Sequence, residues 1–336
     1  MSYLDRKISE QTKIPGLGVL AAADGLLELD RSSDSLHVSG KGGVEGILST
    51  GDGKLEFICF ASQTLAYVKS LSGYPAYYPL RDVSMDEPVK AVLMDLDGTT
   101  VNSEQFWVWI IERTVAFFRG DNLFTLEPED IPFVSGHSTT EHLQYCIGKY
   151  LSGVAIEEVR ARYFTIFRHE MAEIAAGRGR PDAFTPSRGI RDFLLRLKES
   201  KIKIALVTSG LYEKAMPEIL AAFKTLGLGA PEDFYDSIIT AGFQPGHNNY
   251  GTIGELSPKP HPWLYAESAV VGLGLSFEQR GTIVGIDDSA AGVCSVRLAG
   301  FSAIGVGGGN IAHAGTKALC THFCEGFDDV SDLLFG

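Results

Sequence analysis

The sequence lacks a long hydrophobic run. No apolar stretch approaches the ~18 residues that a membrane span needs, so no membrane partner is expected. The opening MSYLDRKISEQTK has no apolar segment behind its charges, so no secretory signal is expected either. Cysteine is scarce. Five residues, at 59, 146, 294, 320 and 324, are an odd and scattered set, which reads as reduced thiols in a cytoplasmic protein rather than a disulfide frame. Cys320-Thr-His322-Phe-Cys324 has no second cysteine pair to complete a zinc site, so a short terminal strand or turn is expected there. Positive charge is also in deficit: 29 Lys and Arg face 42 Asp and Glu, a net charge of −13. That argues against a nucleic-acid backbone or an anionic membrane surface as the main partner, and it suits a protein that holds a cation.

What is present is length, glycine and a change of pattern. At 336 residues the chain exceeds one ordinary core and fits two or three domains. Nine glycines fall between Gly16 and Gly53, and the runs Leu26–Leu29, Leu36–Val38 and Leu55–Phe60 between them read as strands. Gly51-Asp-Gly53 is a hairpin signal. Residues 1–88 are thus expected to form a small β-rich domain. Its favoured role is packing or self-association, with substrate recognition the alternative.

From Val89 the pattern alternates strand and helix. Lys90–Met94, Ile202–Val207, Thr282–Ile286 and Ser302–Val306 are short, apolar and β-branched, as buried parallel strands are. Helical patterns at Gly189–Lys201 and Ala290–Ala299 separate them. The fold class is α/β, a Rossmann-like doubly wound parallel sheet over residues 89–102 and 187–336. Residues 103–186 interrupt it with helical periodicity in Phe106–Phe118, Thr140–Tyr150 and Glu157–Ala176, the pattern of an inserted all-α cap over the sheet's active edge.

The residues that carry chemistry sit at the predicted strand ends. Asp95-Leu-Asp97-Gly-Thr99 follows the first strand of the α/β part, and two carboxylates two residues apart can face one crevice as nucleophile and proton carrier. Chance alone gives D-x-D-G-T on the order of 10⁻³ times in such a chain. Thr208-Ser209-Gly210 ends a second strand in a hydroxyl with backbone amides that can cradle a phosphate. Lys259, in Ser257-Pro-Lys-Pro-His-Pro262, is a cation pinned between prolines. Asp287-Asp288-Ser289 ends a further strand. Asp95, Asp97 and Asp288 offer the hard oxygen ligands that Mg²⁺ prefers. Gly305-Val-Gly-Gly-Gly-Asn310 invites a dinucleotide reading, but it has Asn in place of the third glycine and comes late in the chain, so that reading is rejected.

These four motifs, in this order, resemble the haloacid dehalogenase superfamily. Ser257–Tyr265 and Gly285–Gly292 look like its phosphoglycolate phosphatase and β-phosphoglucomutase branch, as does a helical cap inserted after the first motif. The resemblance covers about Val89 onwards and does not reach residues 1–88. It implies that Asp95 attacks phosphorus to form an aspartyl-phosphate. It implies that Asp97 protonates the leaving alkoxide and then deprotonates water, and that Thr208 and Lys259 bind the transferring phosphoryl group. Mg²⁺ would be held by Asp95, the Asp97 backbone carbonyl and Asp288, with Asp287 contributing directly or through water. An acid at position 97 favours phosphate esters, since the family's dehalogenating and phosphonate-cleaving members lack one there.

The family's sugar-phosphate mutases carry an arginine after a cap Gly-x-Ser, where this chain has Gly136-His137-Ser138-Thr139. They also carry a histidine twelve positions beyond the nucleophile, where this chain has Trp107. The expectation is therefore a Mg²⁺-dependent phosphatase of a small phosphorylated metabolite, with a mutase as the alternative and a non-catalytic regulatory protein as the alternative of another class. His137 and Ser138 are candidate substrate contacts. Trp107 is expected in the core, while Arg178, Arg180 and His247–Tyr250 are expected in solvated loops.

Overall fold

The structure, a computed structural model, describes residues 1–21, 24–69, 74–131, 139–176, 178–180, 182–241 and 257–336. A short helix, α1 (Tyr3–Ser9), is capped by the Ser2 side chain, and a five-stranded antiparallel sheet follows. Its strands β1 (Leu27–Leu29), β2 (Val44–Ser49), β3 (Leu55–Phe60), β4 (Thr64–Val68) and β5 (Ala76–Leu80) pair in sequence order. The Gly51–Gly53 turn joins β2 to β3, with Gly53 at φ +68°.

Leu36–Val38 is not a strand. The Ser32 hydroxyl and the Asp34 carboxylate accept the backbone N–H groups of His37 (3.0 Å) and Leu36 (2.9 Å), and Ser35 has φ +63°. Short polar side chains thereby outcompete a ladder, leaving one isolated bridge between Arg31 and Val38. Strands β2 and β5 escape the sequence reading because Gly46 and Pro79 dilute the pattern, and β4 (Thr-Leu-Ala-Tyr-Val) because its residues do not alternate in polarity. Gly46 in β2 is required by a close approach, since a Cβ there would lie 2.1 Å from the Tyr3 ring. Pro79 sits on the edge strand β5, where a missing N–H is tolerated.

The α/β part begins with β6 (Ala91–Asp95). The two-residue strands β7 (Val101–Asn102) and β8 (Thr185–Pro186) pair antiparallel, and between them rise α2 (Glu104–Arg119), α3 (Thr139–Tyr150) and α4 (Ile156–Ala175). The strands β9 (Lys203–Thr208), β10 (Ser237–Thr240), β11 (Ile283–Asp287), β12 (Ser302–Val306) and β13 (His322–Cys324) complete a six-stranded parallel sheet in the order β10-β9-β6-β11-β12-β13. The helices α5 (Ile190–Glu199), α6 (Tyr212–Leu226), α7 (Pro231–Phe234), α8 (Trp263–Glu267), α9 (Ala290–Leu298) and α10 (Phe327–Phe335) run between and after these strands. No described helix is long and apolar enough to cross a membrane.

Strand alternation divides the interior in two. Val92, Met94, Ile204, Leu206, Val284 and Ile286 join one core with α5, α6, α10 and the cap helices. Ala91, Leu93, Ala205, Val207 and Ile283 point the other way, and their core includes α9 together with Leu48, Leu55, Phe57 and Val68 of the N-terminal sheet. The N-terminal sheet therefore buries its inner face in the α/β core. Arg297 of α9 closes the seam: it is 6% exposed, and its guanidinium donates to the carbonyls of Leu319 (2.8 Å), Gly16 (2.7 Å) and Arg81 (3.1 Å). Charge-assisted bonds of this kind are each worth about 1.5–3 kcal/mol.

Candidate active site

Asp95 is the last residue of β6, and its backbone carbonyl accepts from the Thr100 hydroxyl at 2.5 Å. That bond folds the chain back at once, through Gly98 at φ +85°. A Cβ at Gly98 would sit 2.3 Å from Asp288 Oδ2, so only glycine lets the turn approach Asp288. Thr99 then ties the two loops together. Its hydroxyl donates to Asp288 Oδ1 (2.9 Å) and accepts from the Asp288 N–H (3.1 Å).

Asp287 is the last residue of β11 and is fully buried. Its Oδ2 accepts from Lys259 Nζ (2.7 Å) and the Tyr265 hydroxyl (2.6 Å), and its Oδ1 from the N–H (2.9 Å) and hydroxyl (2.8 Å) of Ser289. Lys259 Nζ also donates to Asp95 Oδ1, so one ammonium bridges two strand ends. Gly309, in the glycine run after β12, lies against the same turn. Gly309 leaves no room for a Cβ, which would lie 2.2 Å from the Asp288 carbonyl, and the Asn310 side chain accepts the Ala290 N–H at 2.8 Å.

Asp97 faces a different set of groups. Its Oδ1 accepts from the Ser103 hydroxyl (2.9 Å) and Lys214 Nζ (3.3 Å), and its Oδ2 from the hydroxyl of Thr208, the last residue of β9 (3.4 Å). Lys214 of α6 lies 4.1 Å from the Trp107 ring centroid, so this cation links the core to the cap. Thr208 Oγ1 in turn accepts the Gly210 N–H (2.9 Å), and Ser209 Oγ accepts the Lys259 N–H (3.0 Å).

Three buried carboxylates crowd together, and one lysine pairs with two of them, Asp95 and Asp287. Burial, reinforced by the charges of Asp287 and Asp97, pushes the Asp95 carboxyl up to about 8 despite Lys259. Burial with Asp287 and Asp95 likewise raises Asp288 well above the carboxylate range. For Asp97, burial is outweighed by Lys214 and the Ser103 hydroxyl, which hold it below its ordinary value. Carboxylate oxygens of Asp95, Asp287 and Asp288 lie within 4.8 Å of one another, a grouping of His, Cys, Asp or Glu that occurs nowhere else among the described residues. An all-oxygen set with surplus negative charge fits a hard divalent cation. The Asp97 carboxylate lies outside this set; the expected part of Asp97 in metal binding is through its backbone carbonyl.

The structure thus brings together Asp95, Asp97, Thr208, Ser209, Gly210, Lys259, Asp287 and Asp288. His137 and Ser138 lie outside the described residues, as do Gly136 and His247–Tyr250. Trp107 is 6% exposed in the cap core. Arg178 and Arg180 are surface residues paired with Glu173 and Asp182. Cys320, His322 and Cys324 form no metal-competent group among the described residues; His322–Cys324 is the edge strand β13. Four participants were not singled out from sequence: Thr99, Ser103, Lys214 and Tyr265. Thr99 and Tyr265 fall inside motif stretches, whereas Lys214 carries no motif signal at all.

The fold and the site define the class: a parallel α/β protein that gathers acids at the carboxyl edge of its sheet beneath a helical cap. Residues 92–241 match the family described as haloacid dehalogenase-like hydrolase, the superfamily that the four motifs resemble. Solved structures share the fold. CbbY from Rhodobacter sphaeroides in complex with phosphate has a TM-score of 0.55 at 19% identity, over 72% of this chain and 96% of that one. A HAD family hydrolase from Deinococcus radiodurans, with bound phosphate and sodium, has 0.52 at 21%, over 74% and 96%. β-Phosphoglucomutase from Clostridium difficile has 0.52 at 20%, over 73% and 96%. None of the curated proteins matches the chain.

Proposed function

We propose that this chain is a Mg²⁺-dependent phosphatase of small phosphate monoesters that works through an aspartyl-phosphate on Asp95. The observation that carries the reading is the placement of Asp95 at a strand end, bridged to Asp287 by Lys259, with Asp97 turned toward Thr208 beside it. An Asp95 oxygen attacks phosphorus and the ester P–O bond breaks, while Asp97 gives its proton to the departing alkoxide. Water then attacks the aspartyl-phosphate, Asp97 takes a proton from it, and inorganic phosphate leaves with Asp95 regenerated. Thr208, the amides of Ser209 and Gly210, and Lys259 hold the phosphoryl oxygens as charge redistributes. Asp95, Asp288 and the Asp97 carbonyl, with Asp287, would hold Mg²⁺, which supplies charge neutralisation at the phosphoryl group.

Hydrolysis is favoured over phosphoryl return because Trp107 is packed into the cap core and Thr139 opens α3, so neither position offers a cation for a second phosphate. The five free cysteines suit a reducing, cytoplasmic setting. The test is phosphate release across a panel of small phosphate esters with Mg²⁺ and with chelator. Release that needs Mg²⁺ is expected. No release from any ester, under conditions where Mg²⁺ binds, overturns the reading, and a requirement for a bisphosphate activator selects the mutase instead.

The raised Asp95 carboxyl gives a second measurable consequence. Its ordinary value is 3.8 and its folded value about 8, so between those limits the folded chain binds the proton that the unfolded chain releases. Stability without a divalent cation should therefore fall as pH rises through that window, and a cation at the cluster should restore it most where the acids are ionised. The rise in melting temperature on adding Mg²⁺ is expected to be at least about twice as large at pH 8 as at pH 5. An equal or smaller rise at pH 8 places the cation elsewhere.

A further inference from the structure

The loop that carries Lys259 has little backbone pairing of its own, one bond from the His261 N–H to the Pro258 carbonyl (3.1 Å). In Ser257-Pro-Lys-Pro-His-Pro262 every second residue is proline and has no N–H to give. Lys259 must nevertheless reach Asp95 and Asp287 at once, in a site where an error of about 1 Å can cost about 100-fold in rate. The loop is fixed from outside, at three points. The Lys259 N–H donates to Ser209 Oγ (3.0 Å), and the His261 carbonyl accepts from Ser295 Oγ of α9 (2.6 Å). The third point comes from residues 1–88: the Tyr78 hydroxyl of β5 is hydrogen-bonded to His261 Nδ1 at 2.8 Å.

His261 is 2% exposed, and the Tyr78 ring stands edge-on to both His261 and Trp263, with centroids 5.8 and 6.0 Å away. Burial lowers the His261 imidazole below its ordinary value, so the ring is uncharged at neutral pH and suited to a hydroxyl partner. Two residues before His261, Lys259 reaches Asp287; four residues after it, Tyr265 reaches the same Asp287 oxygen. The strand that supplies Tyr78 is itself anchored, because Arg297 of α9 holds the carbonyl of Arg81 just beyond β5.

The geometry points to a positioning role for the N-terminal sheet: through Tyr78 and His261 it fixes the loop that sets Lys259 between Asp95 and Asp287. Nothing in the family resemblance reaches residues 1–88, so this device belongs to this chain's added segment. Its kinetic readout rests on the phosphatase reading, and a second readout does not.

The experiment compares Tyr78→Phe with Tyr77→Phe in the full chain. Tyr78→Phe keeps the ring contacts and removes only the hydroxyl facing His261. Tyr77 is the neighbouring residue on β5, and its hydroxyl bonds to Asp34 away from the loop. Tyr78→Phe is expected to lower kcat for phosphate release by about 5- to 10-fold with little change in KM, the scale of one hydrogen bond. It should also speed amide hydrogen exchange in residues 257–267, with Tyr77→Phe unchanged in both respects. Exchange and kcat at wild-type levels in Tyr78→Phe, or equal changes in both variants, overturn the positioning role and leave the phosphatase reading standing. A wild type that releases no phosphate removes the phosphatase reading, and faster loop exchange confined to Tyr78→Phe still supports the positioning role.

Discussion

Replacing Asp95 by Asn should reduce phosphate release by more than about 10³-fold while leaving the fold at least as stable. The two parts of that result have separate causes. Asn matches Asp in shape, yet its amide oxygen cannot form the acyl-phosphate bond, so the first chemical step is lost. Stability moves the other way, because Asp95 is a buried acid crowded by Asp287 and Asp97 with one shared lysine. Asn cannot ionise, so the repulsion that would grow as Asp95 loses its proton with rising pH is absent, and Lys259 stays paired with Asp287 at 2.7 Å. Steady-state phosphate release with a parallel thermal melt measures both. Acid-quenched wild type should carry one phosphoryl group on the peptide containing residue 95, and the variant none. Phosphate release by Asp95→Asn that matches wild type would remove Asp95 as the nucleophile, and no release by either protein would favour the non-catalytic reading.

The core of the site was legible because parallel strands end where chemistry begins. Ala91–Asp95, Lys203–Thr208 and Ile283–Asp287 are continuous apolar runs that stop at a polar residue, and hydrogen bonding between strands brings those polar ends side by side. Periodicity sufficed for the cap helices as well, each found within a residue or two of its expected ends. The N-terminal sheet was less legible. Three of its five strands have glycine, proline or mixed polarity in place of clean alternation, and the false strand at Leu36–Val38 follows apolar content alone. Contacts that depend on three-dimensional placement left no trace in sequence. Lys214 reaches Asp97 from 117 positions away, and Tyr78 reaches His261 from 183. The glycines after β12 resembled half a nucleotide motif, but the work of Gly309 is steric: it lets the loop lie against the Asp288 turn.

Asp97→Asn should separate substrates by their leaving groups. For an alkyl phosphate, kcat/KM should fall by about 10²–10⁴-fold, the usual contribution of a general acid. For p-nitrophenyl phosphate, whose phenolate leaves without a proton, it should fall by less than about tenfold. The contrast arises because kcat/KM reports the step that breaks the ester bond, where only the alkoxide needs the Asp97 proton. Turnover should slow for both esters, since Asp97 also serves as the base toward water in the second half, and phosphorylated Asp95 should accumulate. The surroundings of Asp97 fit this double duty. Lys214 and the Ser103 hydroxyl hold it ionised in the free chain, the form that takes a proton from water. On the phosphatase reading, the arriving phosphate dianion competes for Lys214 and adds negative charge beside Asp97, which favours the protonated form that the first half requires. Equal losses for alkyl and aryl esters would mean that Asp97 acts only by holding Thr208 and the phosphate in place, and the proton for the leaving group would then have to come from another residue.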